Sequence, residues 1–254
     1  MTGAMTGDES LAAFAAKLDS CTDFSARWNQ LVGFLGAYGA DQINYGIFET
    51  FSFRRDEAPV NFISTMNPEW LSYYAEKRFD LGDPHVITVR EGRLKPYRWS
   101  EERATKLTDE MQRDVAAQTA DAGLRAQIHM IAPDPLGIAG PLGGITIGSS
   151  MDARDYFGSI DGREDMLVSA AHLFHQQAIG DVYRQQVGAT SLSTRERDCM
   201  TYAALGLRTT RIAERLALSE VTVELHLRNA RRKLKAVTTS QAVARAIVLG
   251  DVTI

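Results

Sequence analysis

The chain has 254 residues, with 28 Lys and Arg against 32 Asp and Glu, 44% hydrophobic and 24% charged; this is the balance of a globular protein of one or two domains, not of a disordered or fibrous one. No run approaches the roughly 20 consecutive apolar residues of a bilayer span, and the opening MTGAMTGDES lacks the basic flank and apolar core of a secretory leader, so a cytoplasmic protein without a membrane partner is expected. Cys21 and Cys199 are too few and too far apart for a disulfide framework or a cysteine metal site, and both are expected as small buried apolar residues.

Apolar residues recur at helical spacing over 11–18 and 24–39, the second run closing at Gly39 as a helix cap. Segments 43–53 and 60–65 are rich in β-branched and aromatic residues around the polar RRDEAP, and predict paired strands. Helices are predicted over 67–79, where Pro68 suits a first turn and Trp70 and Tyr74 stand four apart, and over 83–92, again with Pro in the first turn. A short strand at 96–99, a helix from Ser100 to Gly123, and strands at 124–132 and 143–150 around the loop 133–142 follow. A long helix over 161–187 ends the first domain, set at 8–187, and 188–191 is a linker. The pattern predicts an α+β domain built on an antiparallel sheet of about five strands covered by helices.

The segment 192–254 differs in charge. From Thr190 onward there are eleven Lys and Arg against six Asp and Glu, a net of +5, which leaves −9 on the rest of the −4 chain. A basic end on an acidic body is the electrostatic footprint of a part that meets a polyanion. Ser193 and Glu196 form an S-x-x-E capping box that starts a helix near Thr194; a second helix runs Thr209 to Leu216, and a third begins after Ser219. In the third, Val223, Leu227, Ala230 and Leu234 make one apolar stripe, so Leu225, Arg228 and Arg232 point outward, a face sized for the DNA major groove. Arg228 and Arg232 suit guanine or phosphate and Leu225 a thymine methyl, while Thr209, Thr210, Arg211 and Lys233 suit the DNA backbone. A last helix ends at Gly250.

Enzymatic readings find little support. His172 and His175 stand three apart on a helix without a third ligand, and GIAGPLGG lacks the Lys-Ser/Thr of a phosphate loop and leads into a strand. No nucleophile elbow or zinc-protease motif occurs. No enzyme and no metal or organic cofactor is expected.

The run from Leu192 to Leu234, with Thr222, Val223, His226 and Leu227 in its third helix, resembles the LuxR-type DNA-binding domain. Upstream, Trp70, Tyr74, Asp83-Pro84 and Trp99 resemble the acyl-homoserine-lactone-binding domain of quorum-sensing regulators at nearly the family's spacings. The resemblance implies an α-β-α sandwich holding a small-molecule signal, a four-helix DNA-binding domain, and a homodimer on a palindromic site in double-stranded DNA. It implies that Trp70 holds the lactone carbonyl, Asp83 accepts from the signal's amide N–H, Tyr74 helps close the pocket, Trp99 packs on the lactone ring, and Thr146 bonds an amide or a 3-substituent. On the third helix the family's DNA contacts fall on Glu224, Leu225 and Arg228, and Thr222 is taken with them as a DNA-binding residue. Three positions depart from the pattern: Met66 replaces a tyrosine donor, Gln127 a glycine and Glu224 a lysine. The first two leave open a non-lactone signal or folding without ligand; the third leaves open a protein that forms inactive heterodimers.

Overall fold

The computed structural model describes residues 10–48, 61–91, 95–132 and 142–253. The chain divides into two compact units, 1–178 and 179–254, inside the long helix and ahead of the 188–191 segment that composition marks as a linker.

The first unit opens with α1 (Leu11–Asp19) and α2 (Phe24–Gly36), capped by Ser10 and Asp23. Strands β1 (Gln42–Phe48) and β2 (Asn61–Ser64) precede α3 (Pro68–Glu76), a 3-10 turn (Phe79–Leu81) and α4 (Pro84–Arg90). Then come β3 (Tyr97–Ser100), α5 (Glu101–Ala104), α6 (Glu110–Asp121), β4 (Ala126–Ala132), β5 (Leu142–Ser149), α7 (Ala153–Ser159) and α8 (Glu164–Val187). The five strands form one antiparallel sheet in the order β2-β1-β5-β4-β3, as the sequence predicts.

Every residue of β4 is buried, so both faces of the sheet are covered. Alternation sorts them. Ile43, Tyr45, Ile47, Ile128, Met130, Ile145 and Ile147 are buried on one face; there the Tyr45 ring meets Phe174 of α8 edge-on at 5.1 Å and its hydroxyl lies 3.0 Å from His175 Nδ1. His175 is thus a core residue, and the described residues hold no group of three potential metal ligands. The other face carries Asn44, Gly46, Gln127, His129, Gly144 and Thr146, over which α3, α4 and α6 close.

Several predicted boundaries move, each for a local reason. The second helix stops at Gly36, and Gly39 (φ +84°) shapes the turn in which the Ala40 N–H reaches Leu35 O. The predicted 100–123 helix is two, because the Asp109 carboxylate caps a new start by accepting from the Gln112 N–H. The long helix begins at Glu164 and not 161, since Gly162 has φ +72°, which a helix does not admit. Helix α7, unpredicted, is capped by Asp152 and anchored by the buried Tyr156. Cys199 is buried as expected, but Cys21 is half-buried at the end of α1, its thiol directed to Lys17 O. The predicted RRDEAP turn and most of the 133–142 loop lie outside the described residues.

In the second unit, α9 (Thr194–Ala204), α10 (Thr209–Leu216), α11 (Glu220–Lys233) and α12 (Thr239–Val248) pack with the last turns of α8, where Arg184 binds both Asp251 oxygens at 3.0 Å. One core cluster joins Cys199, Ile212, Ala213 and Val223; another joins Met200, Ala230, Leu234, Ala242 and Ala246; Leu227 touches both. Among the described residues no helix is long and apolar enough to cross a membrane.

On the cavity face, Gly148 lies under Leu124: a β-carbon there would meet Leu124 Cδ1 at 2.1 Å and the Gln42 backbone oxygen at 2.9 Å. Gly148→Ala is therefore expected to destabilise the first unit by about 1–3 kcal/mol, the usual cost of overpacking, read as a lowered urea midpoint at unchanged slope.

Candidate functional site

Between the sheet and helices α3, α4 and α6 lies a cavity of about 550 Å³, within the roughly 300–1,000 Å³ typical of small-molecule sites. Six of the seven sequence-predicted ligand residues line it: Met66, Trp70, Tyr74, Asp83, Gln127 and Thr146. Trp99 does not; it is buried behind His85, ring centroids 4.9 Å apart.

Helix α3 supplies Trp70 and Tyr74, whose rings meet edge-on at 6.1 Å because residues four apart share a helix face. Phe79, in the 3-10 turn, backs both at 6.1 and 5.8 Å. Asp83 caps α4: Oδ1 accepts the His85 N–H at 2.7 Å and Oδ2 the Tyr74 hydroxyl at 2.7 Å. Each oxygen keeps a lone pair, so the carboxylate can still accept from a ligand amide. Burial raises the Asp83 carboxyl above its ordinary value, opposed by the Tyr74 hydroxyl and the His85 N–H.

The sheet supplies a row of polar side chains, one per strand. Register places Ser64, Asn44, Thr146, His129 and Tyr97 side by side across β2, β1, β5, β4 and β3. Ser64 donates to Asn44 Oδ1 at 2.5 Å, the Asn44 amide lies 3.6 Å from Met66 Sδ, and His129 Nδ1 lies 3.1 Å from the Thr146 hydroxyl. His85 packs on His129 with ring centroids 4.6 Å apart and planes tilted by 38°, and joins Gln127 to Tyr97, Nε2 3.0 Å from the Gln127 amide nitrogen and Nδ1 2.8 Å from the Tyr97 hydroxyl.

In the second unit, Ala217 takes φ +52° after α10 and Ser219 caps α11 by accepting the Thr222 N–H, which makes the turn of the helix-turn-helix. The predicted stripe of α11 is inward: Val223, Ala230 and Leu234 are fully buried. Glu224, Leu225, Arg228 and Arg232 are exposed on the opposite side, with Thr210 and Arg211 exposed on α10, Arg211 paired with Glu214 at 2.6 Å. Thr209 and Thr222 are half-buried, Thr222 sharing a 2.8 Å hydroxyl contact with Ser219. Lys233 binds Glu196 Oε2 at 2.7 Å, the oxygen that also caps the Ser193 N–H. Burial opposes ionisation of Glu196, but these donors outweigh it and hold its carboxyl below the ordinary range.

Two family models match this arrangement: the autoinducer binding domain over residues 23–178 and the bacterial regulatory proteins of the luxR family over 190–246. The chain belongs to the LuxR family of autoinducer-binding transcriptional regulators. The family is one of regulators, not enzymes. This LuxR-family chain is 30% identical over 181 residues to the transcriptional activator RaiR of Rhizobium etli, covering 70% of this chain and 71% of that one. It is 23% identical to the transcriptional activator CarR of Pectobacterium carotovorum, covering 80% and 84%. Its fold is that of Escherichia coli SdiA, with TM-score 0.56 and 16% identity over 96% of this chain and 98% of that one; SdiA with octanoyl-rac-glycerol gives 0.51 and 18% over 94% and 93%.

Sequence reasoning missed His85, His129 and Asn44. A usable signal existed for His129, since Gln127 and His129 alternate with Ile128 and Met130, the period-two mark of a strand with one polar face. Burial lowers both histidines from 6.5 to about 3. They are neutral in the folded unit, while the unfolded chain takes up their protons below pH 6.5. Their contribution is thus whole above that pH and is lost as pH falls towards 3, at up to about 1.4 kcal/mol per pH unit for each ring; Asp83, raised, acts in the opposite sense. The urea midpoint of the first unit is expected to fall from pH 7 to pH 5, and to fall less in His129→Gln; equal slopes would contradict the burial of a neutral ring.

Proposed function

We propose that this chain is a quorum-sensing regulator that encloses an N-acyl (or aryl) homoserine lactone in its first unit and binds a palindromic promoter site as a homodimer. The observation that carries the reading is the meeting of Trp70, Tyr74 and Asp83 at one cavity wall. The indole N–H donates to the lactone carbonyl, Asp83 accepts the amide N–H, and Tyr74, bonded to Asp83, holds that carboxylate in place. Thr146 lies on the opposite, sheet wall. Trp99 acts at one remove, by supporting His85.

The linkage to DNA is thermodynamic. A cavity of this size forfeits packing contacts when unfilled, so a signal that binds only the folded unit stabilises it and favours the dimer. Dimerisation sets two α11 helices about one DNA turn, roughly 34 Å, apart. Arg228 and Arg232 reach guanine or phosphate and Leu225 a thymine methyl, with Glu224 suited to a cytosine amine. Thr209, Thr210, Thr222 and Arg211 lie towards the DNA backbone; Lys233, engaged by Glu196, serves α9 and α11 instead. The DNA-bound regulator is favoured over an inactive heterodimerising one because the exposed face of α11 keeps both arginines beside Glu224.

A second reading, a non-lactone signal, is favoured by Gln127 and His129 in the cavity, where an alkyl chain has no polar partner for them.

A lactone at a hundred times its Kd is expected to stabilise the first unit by about 2.7 kcal/mol, a shift of several degrees in Tm; no shift across acyl and aryl lactones would remove the lactone. Arg228→Ala is expected to weaken binding to a palindrome selected from random DNA at least about tenfold, with the lactone-induced Tm shift intact. Unchanged affinity would show that α11 does not read the groove through this residue.

A further inference from the structure

The outward side of α11 carries two kinds of residue. Its second half presents Arg228 and Arg232, and its first half presents Val221, Glu224 and Leu225; all five are exposed. With 3.6 residues per turn, Val221, Leu225, Arg228 and Arg232 fall within about 60° of one another around the helix, opposite the buried stripe of Val223, Ala230 and Leu234.

Val221 is 77% exposed and Leu225 43%. Among the described residues of α9 to α12 these are the exposed large apolar side chains that stand within a helix; Leu205 and Val237 stand in turns. Residues four apart share a helix face, so the two form one apolar patch about 6 Å long along the axis. No cation adjoins it on its own stretch of chain: residues 220–227 hold Glu220 and Glu224 and neither lysine nor arginine.

This combination fits one part of a DNA duplex and conflicts with the others. Phosphates are repelled by the two carboxylates and give an apolar side chain nothing to cover. In the major groove guanine presents two acceptors, which the carboxylate of Glu224, itself only an acceptor, disfavours. The apolar group on the groove's base edges is the C5-methyl of thymine. We infer that Val221 is a base-reading residue, and that with Leu225 it receives the methyl groups of two thymines. Base pairs rise about 3.4 Å per step, so side chains about 6 Å apart reach thymines one or two steps apart. The first half of α11 thus reads methyls by apolar contact, and the second half anchors to guanine or phosphate through its arginines. A methyl removed from water against an apolar side chain changes affinity by about threefold to fivefold.

This role for Val221 deepens the proposed DNA binding and rests on α11 occupying the groove, so the experiment separates the two. The full chain, with and without a saturating N-acyl homoserine lactone, selects sites from random duplex DNA. Each thymine of a selected half-site is then replaced by deoxyuridine, which removes the 5-methyl and nothing else. Two thymines, one or two steps apart, are expected at which the replacement weakens binding about threefold to fivefold. Val221→Ala is expected to abolish the sensitivity at one of them and spare the other, and Leu225→Ala the converse. Because an apolar contact displaces no counterions, Val221→Ala is expected to leave the salt dependence of binding unchanged. A palindrome bound with no sensitivity to deoxyuridine, or with the same sensitivity in Val221→Ala, overturns the role of Val221 and spares the palindromic dimer. A single half-site that keeps both sensitive thymines overturns the palindrome and spares Val221. If no site is selected over random DNA, both fall. Val221 is exposed and outside the core, and the deoxyuridine series on the unaltered chain decides the matter whatever a variant does to folding.

Discussion

A polar group withdrawn from water must find a partner, and in this protein that requirement falls on the middle of a sheet. Ser64, Asn44, Thr146, His129 and Tyr97 cross all five strands in register, and Asn44, Thr146 and His129 are at most 8% exposed. On the opposite face the same strands present isoleucine, methionine and tyrosine to α8 and its neighbours. One face is a finished core; the other is a core with a cavity, closed by helices whose own bonds hold Asp83, His85 and Gln127 in fixed orientations. The neutral histidines belong to this logic, since burial penalises a charge there by more than the neighbouring Asp83 carboxyl offsets at His129.

The DNA-binding unit meets the same requirement with an ion pair. Glu196 is 5% exposed, yet it receives the Ser193 N–H and the Lys233 ammonium, so one carboxylate caps α9 and ties it to α11. Lys233 is thereby held against α9. The outward side of α11 keeps Arg228 and Arg232 exposed, so the residues that orient the helix and those that face outward are separate sets.

Much of this was legible in the sequence, and what escaped has physical causes. The apolar stripe of α11 and the Ser193 capping box are local patterns, and local patterns survive the step to three dimensions. The Trp70–Tyr74 pair was legible for the same reason, with Asp83 added by resemblance. The polar row was not, because its members come from strands far apart in sequence and meet only through register. The packing of His85 on Trp99, which does not line the cavity, was not legible, because it joins residues 14 positions apart on different elements. The pairing of Lys233 with Glu196 was not legible, because charge says nothing about a carboxylate 37 positions away. Helix α7 and the break before Asp109 were missed because single Asp caps among polar residues are weak signals.

The central claim is that a signal completes the cavity wall of the first unit. Helix α3 has no fully buried residue, so it is the wall whose stability depends most on what fills the space beneath it. Amide hydrogen exchange of α3, followed peptide by peptide with and without a saturating lactone, tests this directly. Exchange in α3 and α4 is expected to slow at least tenfold on binding, with α9 to α12 unchanged in the absence of DNA. A bound lactone that left α3 exchanging at its original rate would contradict the claim that the signal forms part of the fold.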